Sequence, residues 1–247
     1  MTPDASAAAS AGLDPANLPH HIAVIMDGNR RWARERRLPA VEGHRRGVAS
    51  LRELVRACSE IGVPIVTAYA FSTDNWKRDA FEISLLLDLL VHFATAEEAE
   101  LQKRRVRVQT IGRVDELPAN QRDALRTLVA RTAANDRVTL NLAINYSARA
   151  ELADAARALA TDVAAGRLAA ADVGEATLGE YLYTRGLPDP DILIRTGGEM
   201  RLSNFMLWQL AYTELHVTGV YWPDFRREHL FSAIADYQKR ARRFGGS

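Results

Sequence analysis

Short apolar runs alternate with longer helical stretches along most of this chain, and that alternation constrains the fold more than any other feature. Strand-like segments fall near 20–26, 64–71, 105–111, 137–144, 190–195 and 217–221. "PIVTAYAF" is a nearly unbroken apolar run, as in a strand covered on both faces. The clearest helix covers 44–61: Val48, Leu51, Leu54, Val55, Cys58 and Ile61 recur at helical spacing, and Gly62 and Pro64 follow as stop signals. Further helices are expected over 80–101, 119–134, 148–165, 203–214 and 226–242. This pattern predicts an α/β fold, a central six-stranded, mostly parallel sheet flanked by helices. No repeat or mid-chain linker divides it, so 19–247 reads as one domain. The Ala/Ser/Pro-rich residues 1–18 read as a flexible tail.

Composition narrows the function. At 47% hydrophobic the 247 residues can bury a sizeable core. A net charge of +1 argues against bulk electrostatic binding of nucleic acid, so no nucleic-acid partner is expected. Cys58 stands alone, which excludes an internal disulfide or a cysteine metal cage and fits a small buried apolar residue. The histidines lack metal-ligand spacing, so zinc is not expected. No window approaches the roughly 18 apolar residues of a spanning helix. The N-terminus also lacks the basic and apolar regions of a secretory signal, and the cytoplasm is the default location.

Ligands of open parallel sheets bind beyond the carboxyl ends of the strands. Four such ends carry polar clusters: Asp27 to Trp32, "STDNWKR" (Ser72 to Arg78), Asn145 to Arg149, and "RTGGEMRLSN" (Arg195 to Asn204). Each holds an arginine. In the first, a helix starting near Asn29 would present free N–H groups to an anion. Arg30 and Arg31 would add bidentate contacts, and Gly28 would let the backbone approach closely. Asp27 would repel a phosphate unless a cation lay between them, and Mg²⁺ held by one carboxylate and substrate phosphates is a common arrangement. Equally, Asp27 could cap the helix above a solvated basic face. In the other rich cluster, the "TGGE" turn could form an anion-binding nest. Arg201 and Ser203 follow as donors, and Ser203 can also cap the next helix. Glu214, at the end of that helix, is by itself an ordinary surface acid. His44 is either a surface or capping residue or a hydrogen-bond donor to phosphate. Neither a Walker A loop nor a GxGxxG turn is present.

Taken together, "HIAVIMDGNRRWA…GH", "AFSTDNWKR", "IRTGGEMRLSNFMLWQLAYTEL", "WPDF" and "RRFGG" resemble the cis-prenyltransferases, the undecaprenyl diphosphate synthase-like isoprenyl transferases, from about His20 to Gly246. The resemblance implies a homodimer with a six-stranded parallel sheet and an apolar tunnel. It also implies Mg²⁺-dependent condensation of isopentenyl diphosphate with an allylic diphosphate to give Z-configured chains. By matching motifs, Asp27 resembles the essential acid that handles Mg²⁺ and the departing diphosphate, and Glu214 a second Mg²⁺ contact. Gly28, Asn29, Arg30, Arg31 and Trp32, with His44, resemble the allylic diphosphate loop. Asn75 resembles the residue assigned to proton removal, within Ser72, Thr73, Asp74, Trp76 and Arg78. Arg195, Arg201, Leu202 and Ser203 resemble the isopentenyl diphosphate site. Arg243 and Gly245 resemble a C-terminal motif that reaches the partner's site. Release of a long product leaves room for peripheral contact with a membrane.

The sequence departs from the family pattern at Arg30 (often glycine), Ala40 (often arginine), Asp74 (usually glutamate) and "NYSAR" (usually "NYGGR"). The leucine-rich 80–101 helix with "PIVTAYAF" would line the tunnel, and small Ala70 favours an open one. A medium-length, undecaprenyl- or decaprenyl-like product is therefore expected. A short-chain Z-prenyl diphosphate synthase of specialised metabolism is the alternative.

Overall fold

A computed structural model describes residues 5–240. Strands β1 (His21–Ile25), β2 (Ile65–Ser72), β3 (Val106–Ile111), β4 (Val138–Tyr146), β5 (Ile192–Arg195) and β6 (Glu214–Val217) form one sheet in the order β3-β4-β2-β1-β5-β6. Every pairing is parallel. The helices of the described residues are α1 (Ala5–Ser10), α2 (Asn29–Glu35), α3 (Ala40–Ile61), α4 (Ala80–Ala96), α5 (Glu98–Lys103), α6 (Ala119–Thr132), α7 (Ala148–Ala164), α8 (Glu175–Gly179) and α9 (Arg227–Gln238).

Successive residues of a strand face opposite sides of the sheet, and β1 shows the consequence. Ile22 and Val24 enter a large core with Leu54 of α3, Leu128 of α6 and Ile234 of α9, whereas Ala23 and Ile25 enter a smaller one with Phe205, Met206 and Leu210. Both faces are covered, which explains the continuous apolar runs that made the inner strands readable. Fully burying a side chain such as Leu54 contributes about 1.5–3 kcal/mol.

Four expectations are corrected. Residues 203–213 form no helix: Ser203, Asn204 and Met206 have φ of 51°, 60° and 44°, and the segment folds over the sheet as successive turns. A helix here would bury Phe205, Leu207, Trp208 and Tyr212; the turns bury Phe205, Met206 and Leu210 and leave Leu207 and Tyr212 exposed. The sixth strand is 214–217, not 217–221. The 80–101 helix breaks at Glu97, whose carboxylate is held by Arg52 from α3. Within the supposed tail, residues 5–18 include α1, and Ala8 and Leu13 are buried in the large core.

The chain leaves β1 toward β2 and later returns to β1's other side as β5. That reversal makes the carboxyl ends of β1 and β5 the topological switch point, where a crevice opens.

Candidate active site

A cleft of about 790 Å³ lies over the switch point, lined by Asp27, Arg31, Arg195, Arg201 and Ser203 at one end and by Val48, Leu51, Leu86, Leu90 and Phe93 at the other. The first set comes from the end of β5 and the segments that follow β1 and β5, the second from α3 and α4. One cavity thus joins a cationic rim to an apolar arm.

Asp27 sits at the centre of the rim. It does not cap α2: the N-cap residue is Gly28, with φ of 105° and no side-chain cap bond. Instead Oδ1 accepts from the Gly28 N–H at 2.6 Å and meets Arg31 at 3.2 Å, while Oδ2 accepts from Arg195 Nη2 at 2.9 Å. The Thr196 hydroxyl accepts the Asp27 N–H and donates to the Asp27 carbonyl, fixing the backbone. Burial pushes the carboxyl's pKa up, but the Arg195 hydrogen bond and the charges of Arg31 and Arg195 outweigh it, leaving it below the ordinary aspartate value. Asp27 is ionised at neutral pH.

Ion pairs continue outward. Arg31 also reaches Glu199 at 3.4 Å, and Arg201 donates to Glu199 at 2.5 Å. Arg195, almost fully buried, additionally donates to Ser203 Oγ at 2.9 Å and to the Arg201 carbonyl. The Gly197–Gly198 turn lets this chain close: at Gly197, with φ of 81°, a Cβ would stand 2.5 Å from Arg31 Nη2. On the α4 side, Glu82 accepts from Arg78 at 2.7 Å and lies 3.6 Å from Arg30 and 3.8 Å from His44. Burial first, then the charge of Arg78, pulls the His44 pKa down to about 4, so its imidazole is neutral at pH 7. Among the described residues, His44 Nε2 and Asn29 Oδ1 are buried and have no hydrogen-bond partner.

The cleft therefore gathers Asp27, Gly28, Asn29, Arg30, Arg31, His44, Ser72, Asn75, Arg78, Arg195, Arg201 and Ser203. Asn75 is committed in part, since its Oδ1 accepts from the Ser72 N–H at 2.8 Å. Other expected site residues do not line the cleft. Trp32 is a buried residue of α2, with the Arg36 guanidinium 4.5 Å from its ring centre. Trp76 donates to Asn145 at 2.8 Å, and exposed Asp74 pairs with Lys77. Thr73 begins the short turn before α4, and Leu202 packs on the smaller core.

Glu214 is separated from Asp27. It opens β6 opposite Ile192, whereas Asp27 lies beyond the Ile25–Arg195 end of the neighbouring strands. Three residues of strand, about 10 Å, lie between those levels, and Glu214 pairs with Arg240 at 2.7 Å. Within one protomer Glu214 and Asp27 thus stand toward opposite ends of the strands. Arg243 and Gly245 lie outside the described residues.

Sequence reasoning missed Arg34, Tyr69 and Trp222, all on the cleft wall. Tyr69 was hidden in an apolar strand, where it stacks on Phe205 at 4.5 Å. Trp222 lies in the "WPDF" motif and donates to the Gly47 carbonyl at 2.8 Å, so the motif itself was an available signal.

A parallel sheet whose switch point joins arginine-rich turns to an apolar arm suits an enzyme that grips a phosphorylated head and shelters a hydrocarbon tail. Comparison with known proteins agrees: residues 25–245 match the family model "Putative undecaprenyl diphosphate synthase", and the chain belongs to this family of isoprenyl transferases. It is 48% identical over 239 residues to the isoprenyl transferase of Heliobacterium mobile, covering 97% of this chain and 92% of that one. It is 50% identical over 229 residues to the isoprenyl transferase of Geobacillus kaustophilus (strain HTA426), covering 93% and 89%. Among solved structures, lavandulyl diphosphate synthase from Lavandula x intermedia, in complex with dimethylallyl diphosphate, superposes with a TM-score of 0.91 at 36% identity, covering 94% of this chain and 100% of that one. A probable undecaprenyl diphosphate synthase from Campylobacter jejuni gives 0.77 at 31%, covering 93% and 100%.

Proposed function

We propose that this prenyltransferase condenses isopentenyl diphosphate with an allylic diphosphate, extending a Z-configured chain to medium, undecaprenyl- or decaprenyl-like length. The observation that carries this reading is the single cleft, cationic at one end and apolar at the other. In it the allylic diphosphate lies between Arg30, Arg31, His44 and Arg78, and isopentenyl diphosphate against Arg195, Arg201 and Ser203. Asp27 stands between the two seats. Arginines already in place stabilise the charge that develops as the allylic diphosphate departs. The neutral His44 donates a hydrogen bond to a phosphate oxygen and does not act as a cation.

The new carbocation must lose a proton. Asn75 is suited to orientation, because an amide is a weak base, its carbonyl oxygen accepts from the Ser72 N–H and its amide N–H groups can donate. A diphosphate oxygen is then the acceptor.

Mg²⁺ fits this rim as an ion carried largely by substrate. Among the described residues no group of three acidic, histidine or cysteine side chains could cage a metal. Asp27 nonetheless offers one ionised carboxylate in the cleft, the donor set Mg²⁺ uses when phosphates supply the rest. Once bound, the ion would neutralise charge on the departing diphosphate.

The growing chain follows the apolar arm between α3 and α4, where small Ala70 leaves the passage open as a tunnel. We place the reaction in the cytoplasm; no helix of the described residues is long and apolar enough to cross a membrane. A homodimer is favoured by the unpaired β6 edge, where Leu215 and Val217 are exposed. The short-chain alternative is favoured by the closer superposition on lavandulyl diphosphate synthase.

The test supplies Mg²⁺, labelled isopentenyl diphosphate and allylic primers of several lengths, and reads products by mass spectrometry. Multiple additions are expected. Termination after one addition would transfer support to the short-chain reading, and no incorporation with any primer would remove both.

A further inference from the structure

We infer that Tyr221 is a positioning residue for the diphosphate-binding rim: its ring holds Arg31 by the guanidinium face, leaving the N–H donors free for anions. Tyr221 lies between β6 and the "WPDF" turn. Its backbone is fixed on both sides of the rim. Trp222 N–H donates to the Asp27 carbonyl at 3.0 Å, Gly197 N–H to the Val220 carbonyl at 2.9 Å, and Gly198 N–H to the Thr218 carbonyl at 2.9 Å. The segment thus ties the Asp27 turn to the glycine turn after β5.

The side chain lies along one face of α2 and touches it at three levels. At the first, it packs on Gly28 so closely that a Cβ there would stand 2.6 Å from Tyr221 Cδ1. At the second, the Arg31 Cζ is 5.5 Å from the ring centre. At the third, one turn further on, the hydroxyl donates to Glu35 Oε1 at 2.5 Å. The hydroxyl fixes the ring, and the ring fixes Arg31.

The chemistry explains why a ring serves here. A guanidinium has five N–H donors and no acceptor. A carboxylate that positions it uses those donors; an aromatic face attracts the cation through the π-system and uses none. Arg31 already meets Asp27 and Glu199 through its nitrogens. Tyr221 keeps the guanidinium in place while those carboxylate contacts are exchanged for phosphate oxygens. This rests on the diphosphate reading above, and the experiment separates the two.

The first measurement needs no ligand. In full-length protein labelled at arginine, the Arg31 side-chain Nε–Hε resonance is expected to be displaced upfield by the ring current of Tyr221. Tyr221→Phe should keep that displacement and Tyr221→Leu should abolish it. A resonance at the ordinary arginine position in the unsubstituted chain would overturn the inference. The second measurement is calorimetric titration with inorganic pyrophosphate. Tyr221→Leu is expected to weaken binding about fivefold and Tyr221→Phe less than about twofold. In an Arg31→Ala background Tyr221→Leu should change affinity by less than about 1.5-fold. An equal loss in both backgrounds would mean the ring acts through something other than Arg31, and would also overturn it. Failure of pyrophosphate to bind the unsubstituted chain would remove the diphosphate reading, while the resonance would still decide whether the ring holds Arg31.

Discussion

Two carboxylates near the carboxyl edge of the sheet make a useful contrast. Asp27 lies in the cleft among arginines, and their charge holds its pKa below the ordinary value despite burial. Glu151, in the first turn of α7, is only 1% exposed and has neutral partners: the Tyr146 hydroxyl, the Gln209 amide at 3.2 Å and the Tyr183 N–H at 2.9 Å. Burial, only partly offset by those donors, leaves its pKa raised. Hydrogen bonding alone does not make a reactive acid. Fixed cations keep Asp27 charged where a ligand can reach it, whereas neutral donors use Glu151 to tie α7 to the turns over 203–213.

The largest expected effect comes from removing the charged member of the pair. Asp27→Ala should lower kcat by about a thousandfold, the upper range for loss of one electrostatic group, with an unchanged circular-dichroism spectrum. Near-normal turnover would reduce Asp27 to a structural anchor. Next, Glu151→Ala should destabilise the fold by about 2–4 kcal/mol, because buried donors lose their acceptor. A thermal melt would show this as a Tm lower by roughly 4–16 °C, and an unchanged Tm would break the contrast.

A smaller effect is the dependence of stability on pH, which should have opposite signs at the two sites. Asp27 has a depressed folded pKa, so its contribution is present above the unfolded value and lost as pH falls through the folded one. Asp27→Asn should therefore flatten the acid side of a Tm–pH curve. Glu151 has a raised folded pKa, so its contribution is full below the unfolded value and lost as pH rises through the folded one. Glu151→Gln should remove that loss. Slopes of the same sign for the two sites would contradict the assignment. The smallest effect is at a third carboxylate: Asp74 meets Lys77 at 2.6 Å but is exposed. Asp74→Asn should change stability by less than about 0.5 kcal/mol in a urea melt, and a larger loss would show that proximity alone confers strength.

The same contrast marks what was legible in the sequence. Inner strands announce themselves because both faces are buried. Asp27, Arg31, Arg195 and Arg201 announce themselves because charged residues at strand ends converge once the sheet is parallel. Glu151 gave no such signal: a buried acid with neutral partners is written like any surface glutamate. Ser203–Thr213 was misread because an apolar run with helical spacing also suits successive turns, which bury Phe205, Met206 and Leu210 and leave Leu207 and Tyr212 exposed. The edge strand β6 was displaced because its exposed Leu215 and Val217 blur the apolar signal.

One consequence of the ion pairs lies in what the rim selects. Arg31, Arg195 and Arg201 share Asp27 and Glu199, and Arg30 and Arg78 share Glu82. An anion that takes any of these five arginines must exchange with carboxylates that are already there. A singly charged ion that takes one arginine merely replaces one such contact with another. A polyvalent head spanning several arginines replaces many contacts at once and loses less freedom per contact. The rim is therefore an ion exchanger graded by valence, favouring diphosphate over abundant monovalent anions before shape or chain length is read.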